Sequence, residues 1–161
     1  MNLIQEIIKL RGNTKGAFFI LIFRISSFFT KNSFFKIIGL PIRIFYKFFV
    51  QWLLCIDIPD TVKLGRGFNL FHGQSTVIHQ DSVIGRNVTL RHNTTIGNGK
   101  SEKDVPCIGN NVQIGANVVI IGKINIGDNA IIGAGSVVIK DVPSFSVVAG
   151  NPARVVKNLK I

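Results

Sequence analysis

The sequence predicts a mainly β protein, a parallel β-helix of hexapeptide repeats entered through an N-terminal α-helical segment. Three observations predict it. An aliphatic residue recurs every six positions, a residue tolerant of positive φ recurs in fixed phase with it, and the chain changes composition near Cys55–Ile58.

The repeat is clearest in "IGNNVQIGANVV", Ile108 to Val119, where nearly the same six letters occur twice. Aliphatic residues stand at Leu64 and Leu70 and, after a two-residue slip, at Ile78, Ile84, Leu90 and Ile96. They resume in phase at Ile108, Ile114, Ile120, Ile126, Ile132 and Val138. Three places after each aliphatic comes Gly67, Gly73, Asp81, Asn87, Asn93, Gly99, Asn111, Asn117, Lys123, Asn129, Gly135 or Asp141. Glycine, asparagine and aspartate are the residues that best tolerate left-handed backbone. A sharp corner every six residues separates short strands, and three corners close a triangular coil of about 18 residues, the mark of a hexapeptide solenoid. Stacked coils turn the aliphatic column inward. Neither a helix nor a simple alternating strand gives a period of six.

The first third reads differently. Residues 1–56 form a basic, aromatic segment with Lys9, Arg11, Lys15, Arg24, Lys31, Lys36, Arg43 and Lys47 against the single acid Glu6. Ten of the thirteen phenylalanines lie there. Pro41 interrupts it, and "FYKFFVQWLL" leads into the first coil, so helices are expected that cap the solenoid, whose ends need covering. Residues 57–161 are then the β-helix domain with a C-terminal tail. The apolar run "GAFFILIF" is too short for a spanning helix, which needs roughly 18 residues, and no cleavage site follows it. The cationic, aromatic helices suit either packing within the protein or a symmetry mate, or peripheral contact with an anionic membrane surface.

Two cysteines, Cys55 and Cys107, are too few for a disulfide framework and suit reduced thiols in a cytoplasmic protein. No nucleic-acid partner is expected despite the net charge of +11. The flat, regular faces of such a solenoid favour closed symmetric assembly, and a homotrimer is expected.

Irregularities in a repeat are where function concentrates. One is the slip inside "LFHGQSTVIH"; the other is "GNGKSEKDVPC", Gly97 to Cys107, which keeps the phase while a loop projects. All three histidines, His72, His79 and His92, lie near the first. His72 and His92 each stand two places after an aliphatic, so they are expected on one corner in neighbouring coils. His72 is the candidate for chemistry, in an irregular coil beside a loop able to enclose a substrate. The histidine spacings do not converge on a zinc site within one chain, and no metal is assigned. A β-helix hydratase with zinc held between subunits is the alternative.

From Ile56 to Lys157 the chain resembles the serine acetyltransferase group of hexapeptide acyltransferases, through "IDIPDTVKLGRGFNLFHG", "IGAGSVVIKDVP" and "VAGNPARVVK". Through "LFHGQSTVIH" and "LRHNTTIGN" it is similar in particular to the colanic acid and exopolysaccharide O-acetyltransferases. The resemblance implies a left-handed β-helix and acetyl transfer from acetyl-CoA directly to an acceptor hydroxyl. It makes His72 the general base, since imidazole titrates near neutrality, and Asp57 the carboxylate that orients it. It also implies that Ala116 and Ala134 contact the pantetheine arm, with Lys140, Arg154 and Lys157 as candidates for the CoA phosphates; the same positions read equally as repeat corners and solvated charges. Serine acetyltransferases carry an aspartate before the catalytic histidine and "RHP" in the loop, where this chain has Phe71 and Asp104-Val105-Pro106. The charged ends of free serine would lack partners there. The expected acceptor is a sugar hydroxyl of a capsule or exopolysaccharide unit, stacking on Phe71 with His92 beside it. Serine O-acetyltransferase, and a non-catalytic hexapeptide scaffold, are the alternatives.

Overall fold

The structure is a computed structural model and describes residues 1–159. Four helices, α1 (Leu3–Lys9), α2 (Thr14–Phe28), α3 (Ser33–Ile38) and α4 (Leu40–Tyr46), precede the solenoid, and α4 runs on as a π-helical segment, Lys47–Leu53. Asparagine starts three of them: Asn2, Asn13 and Asn32 accept from the backbone N–H three residues on. Pro41 sits in the first turn of α4, where the missing N–H costs nothing.

Fifteen short strands follow. Face A stacks β1 (Ile56–Asp57), β4 (Thr76–Ile78), β7 (Thr95–Gly97), β10 (Val119–Ile121) and β13 (Val137–Val138). Face B stacks β2 (Lys63–Leu64), β5 (Val83–Ile84), β8 (Cys107–Ile108) and β11 (Asn125–Ile126). Face C stacks β3 (Asn69–Phe71), β6 (Thr89–Arg91), β9 (Gln113–Ile114), β12 (Ile131–Ile132) and β14 (Ser146–Gly150), with β15 (Ala153–Asn158) closing its edge antiparallel. Every other pairing is parallel, and the predicted aliphatic column fills the interior, from Leu64 and Leu70 to Val138.

The register measures each coil. Leu64 pairs with Ile84, Ile84 with Ile108, Ile108 with Ile126 and Ile126 with Val142, so successive coils hold 20, 24, 18 and 16 residues. The two extra residues of the first coil lie between Phe71 and Val77, on the corner from face C to face A. The six extra residues of the second lie between Ile96 and Ile108, on the corner from A to B. Eight of the twelve expected corner residues have positive φ; at Lys123 the neighbouring Gly122 takes it instead. Asn87, Asn111 and Asn129 stack at one corner as a side-chain amide ladder, 3.1 and 3.2 Å between steps.

The helices close the first coil and share its core: Phe19, Ile20, Phe23, Tyr46 and Val50 are buried with Ile58, Phe68 and Leu70. Polar contacts fix the angle. Fully buried Glu6 accepts from Arg24, Arg66 and the Gly67 N–H. Burial pushes its carboxyl pKa up, but Arg24, the Gly67 N–H and Arg66 more than offset this and hold it below the usual value. Arg24 also donates to Leu64 O and Gly65 O, each at 2.7 Å, and Asn13 donates to Leu70 O at 2.8 Å. These carbonyls lie on the open edge of the first coil. Arg43 bridges to Asp60 at 2.8 Å, and the buried Tyr46 hydroxyl donates to Ile58 O at 2.6 Å.

Candidate functional site

The enlarged corner between Phe71 and Thr76 carries left-handed backbone at His72 (φ 68), Gly73 (φ 72) and Ser75 (φ 54). Such strain in a non-glycine residue costs about 1–3 kcal/mol and clusters where geometry serves function. The corner is anchored above and below: Ser75 N–H donates to Cys55 O, and Asn93 N–H to Gln74 O. His72 is exposed and lines a cavity of about 460 Å³ with Thr14, Lys15, Phe18, Phe49 and Gln74. Helix α2 and the π-helical segment form one wall of this cavity, and the first coil forms the other.

His92 occupies the same corner one coil on, as its position predicts. The two imidazoles meet edge to face, ring centroids 5.8 Å apart. Nδ1 of His92 is buried and has no hydrogen-bond partner among the described residues. A buried, unpaired nitrogen costs about 1–3 kcal/mol. His79 stands apart, its Nδ1 accepting from the Asp81 N–H within a local turn. Among the described residues no three His, Cys, Asp or Glu side chains converge as a metal site requires.

Within the single chain, three expected juxtapositions are not formed. Asp57 is exposed on β1, and its Oδ1 accepts from Gln51 Nε2 at 2.8 Å; no hydrogen bond joins it to His72. Gln51, one turn before the first coil, lies closer in sequence and reaches the carboxylate first. Phe71 does not line the cavity: the Arg91 guanidinium lies over its ring, 5.7 Å from the centroid, on face C. Phe18 and Phe49 supply the apolar wall beside His72 instead. Finally, the loop between Gly97 and Cys107 leaves the corner from A to B, so within one chain it does not lie beside His72.

Above the histidines the same corner continues through Ala116 and Ala134, each two places beyond its inward aliphatic. His72, His92, Ala116 and Ala134 thus form one column up the edge of the solenoid, with large polar side chains below and small ones above. Asn93 and Asn117 stiffen it with an amide contact of 3.0 Å. Lys140 and Arg154 share a smaller cavity of about 180 Å³ at the C-terminal end, while Lys157 does not line it.

A family profile described as bacterial transferase hexapeptide (six repeats) matches residues 108–140. A colanic acid biosynthesis acetyltransferase, WcaB of Escherichia coli K12, is 37% identical over 84% of this chain and 87% of its own length. The chain belongs to the hexapeptide-repeat acetyltransferases. Serine acetyltransferase 2 of Arabidopsis thaliana is 47% identical over 63% of this acetyltransferase, which matches only 32% of the plant enzyme's length. The crystal structure of Brucella abortus serine acetyltransferase, solved with coenzyme A, superposes with a TM-score of 0.82 at 29% identity, covering 98% of this chain and 67% of that one. With that likeness the solenoid is a left-handed β-helix.

Thr14, Lys15, Phe18 and Phe49, which share the cavity with His72, escape sequence reasoning because they come from the helices, whose orientation a period of six cannot report. Gln74 had a signal, since it lies among the residues of the two-residue slip. Among the described residues no helix of this acetyltransferase is long and apolar enough to cross a membrane.

Proposed function

We propose that this acetyltransferase moves acetyl from acetyl-CoA directly to a sugar hydroxyl in capsule or exopolysaccharide synthesis, with His72 as general base. The observation that carries the reading is the His72–His92 pair at the foot of an alanine column, beside a cavity with an apolar wall. The imidazole of His72 takes the hydroxyl proton as the oxygen attacks the thioester carbonyl. The tetrahedral intermediate collapses with cleavage of the C–S bond, and the imidazolium returns its proton to the leaving thiolate. Asp57 serves as the orienting carboxylate once it exchanges Gln51 for the imidazole. His92, its ring 5.8 Å from that of His72, stands beside the acceptor. The pantetheine arm lies along Ala116 and Ala134, where small side chains permit close approach, and Lys140 and Arg154 meet the CoA phosphates. In a homotrimer a neighbour's solenoid forms the other wall of this groove, where the projecting loop of one chain can reach the histidines of the next. The enzyme works in the cytoplasm, where acetyl-CoA is made.

The name of the Escherichia coli relative, matched along most of both chains, supports a glycan acceptor. Higher identity to a plant serine acetyltransferase, over 63% of this chain, favours serine as a second reading. Against it, serine acetyltransferases, by the resemblance, carry an aspartate where this chain has Phe71, whose ring under Arg91 offers the amino group of serine no carboxylate. Thiol release from acetyl-CoA, measured with serine and with candidate oligosaccharides, decides between them. Turnover with serine alone would overturn the glycan reading.

A further inference from the structure

We propose that the outer face of α3, α4 and the π-helical segment docks on an anionic membrane surface, a role independent of the acetyl-transfer reading. The helix from Leu40 to Leu53 has two sides. Tyr46 and Val50 are buried on the first coil, and Arg43 on that side is held by Asp60. On the other side Leu40, Ile44, Phe48 and Trp52, four residues apart, form an unbroken apolar stripe, each side chain more than half exposed. Helix α3 adds Phe34, Ile37 and Ile38, also more than half exposed, and buries none of its own residues. An apolar face of this size without a partner marks an interaction surface.

Charge selects the partner. Lys36 on α3 and Lys47 at the start of the π-helical segment are exposed, as is Lys31 just before α3, its Nζ 4.6 Å from the Phe28 ring centroid. The single acid of residues 1–56, Glu6, is fully buried, and Arg24 and Arg43 are engaged in ion pairs. The face therefore presents aromatic and aliphatic groups fringed by cations, with no exposed carboxylate from this segment to balance them. A second copy docked by a two-fold contact would set these lysines against themselves, since that contact brings the same patch to both sides, and the three-fold assembly proposed above packs solenoid on solenoid. Anionic headgroups over hydrocarbon satisfy both components. The helices lie on such a surface, none being long enough to cross it. Phe45 stacks on Phe49, centroids 5.4 Å apart, and Phe49 lines the His72 cavity, so the docked face and the cavity are contiguous.

Trp52, 72% exposed, is the chain's only tryptophan and reports the contact directly. The full chain is titrated with vesicles of phosphatidylglycerol and phosphatidylethanolamine, and with phosphatidylcholine vesicles as control. Trp52 emission is expected to shift to the blue and to be quenched by lipids brominated in the acyl chain, with co-sedimentation on the anionic vesicles alone. Replacing Lys31, Lys36 and Lys47 together by alanine is expected to weaken binding on the order of 100-fold while leaving the thermal melt unchanged. Unshifted emission with the protein left in the supernatant overturns the proposal. So does Trp52 emission already blue-shifted and shielded from acrylamide without lipid, in an assembly that grows with concentration, because another copy then covers the face.

Discussion

Removing the Glu6 carboxylate tests how the helices are held on the solenoid. In Glu6→Ala the guanidinium of Arg24, largely buried, loses two contacts, of 3.2 and 2.9 Å, and the buried Gly67 N–H loses its acceptor at 2.8 Å. Arg66 is half exposed and contributes little, because water replaces its partner. Breaking a buried ion pair from one side costs about 3–5 kcal/mol, since the surviving charge stays desolvated. For a chain of this size that lowers Tm by about 6–20 °C. Circular dichroism melts read the shift, and hydrogen exchange over α1 and α2 shows whether those helices loosen first. Lys9→Ala, which removes one exposed contact to Asn87, serves as the control and is expected within about 0.5 kcal/mol of the parent. A Glu6→Ala melt within 1–2 °C of the parent (about 0.5 kcal/mol) would refute the argument.

Because the Glu6 pKa is lowered by folding, its stabilisation is present above the ordinary glutamate value and is lost as pH falls through the folded one. The Tm gap between the parent and Glu6→Gln is therefore expected to narrow below about pH 4.3, read by melts across an acid series. Tyr46→Phe leaves the Ile58 carbonyl buried without its donor and is expected to cost about 1–3 kcal/mol by urea denaturation. At Asn111, φ 57, alanine is expected to be worse than glycine by about 1 kcal/mol, the reverse of the usual order, because only glycine accepts the left-handed corner freely. His72→Asn keeps a residue that tolerates φ 68 and is expected to lower kcat by 10²–10⁴-fold with an unchanged melt; retained turnover would remove His72 from the mechanism.

The solenoid was legible because its period and its inward column are one fact: the residue that recurs every six places is the residue that fills the coil. The pairing of His72 with His92 followed from adding the two-residue slip to one coil. The corner rule failed at Lys123 for a local reason, since Gly122 next to it bears the left-handed bend at lower cost. What stayed hidden depends on the helices. No spacing tells that Gln51 claims Asp57, that Arg91 covers Phe71, or that Phe18 and Phe49 wall the histidine cavity. The sequence shows the projecting loop, but the side of the triangle it leaves depends on strand order, which places it on the corner between β7 and β8.

The donors that Arg24 and Asn13 extend to Leu64 O, Gly65 O and Leu70 O do more than fasten a helix. A bare terminal rung of backbone is a template on which the next molecule's last rung could stack, and a rod of identical rungs has no intrinsic length. Two side chains occupying those acceptors turn an open-ended polymer surface into a finished particle. Deleting the first 54 residues should therefore yield fibres rather than a smaller soluble rod.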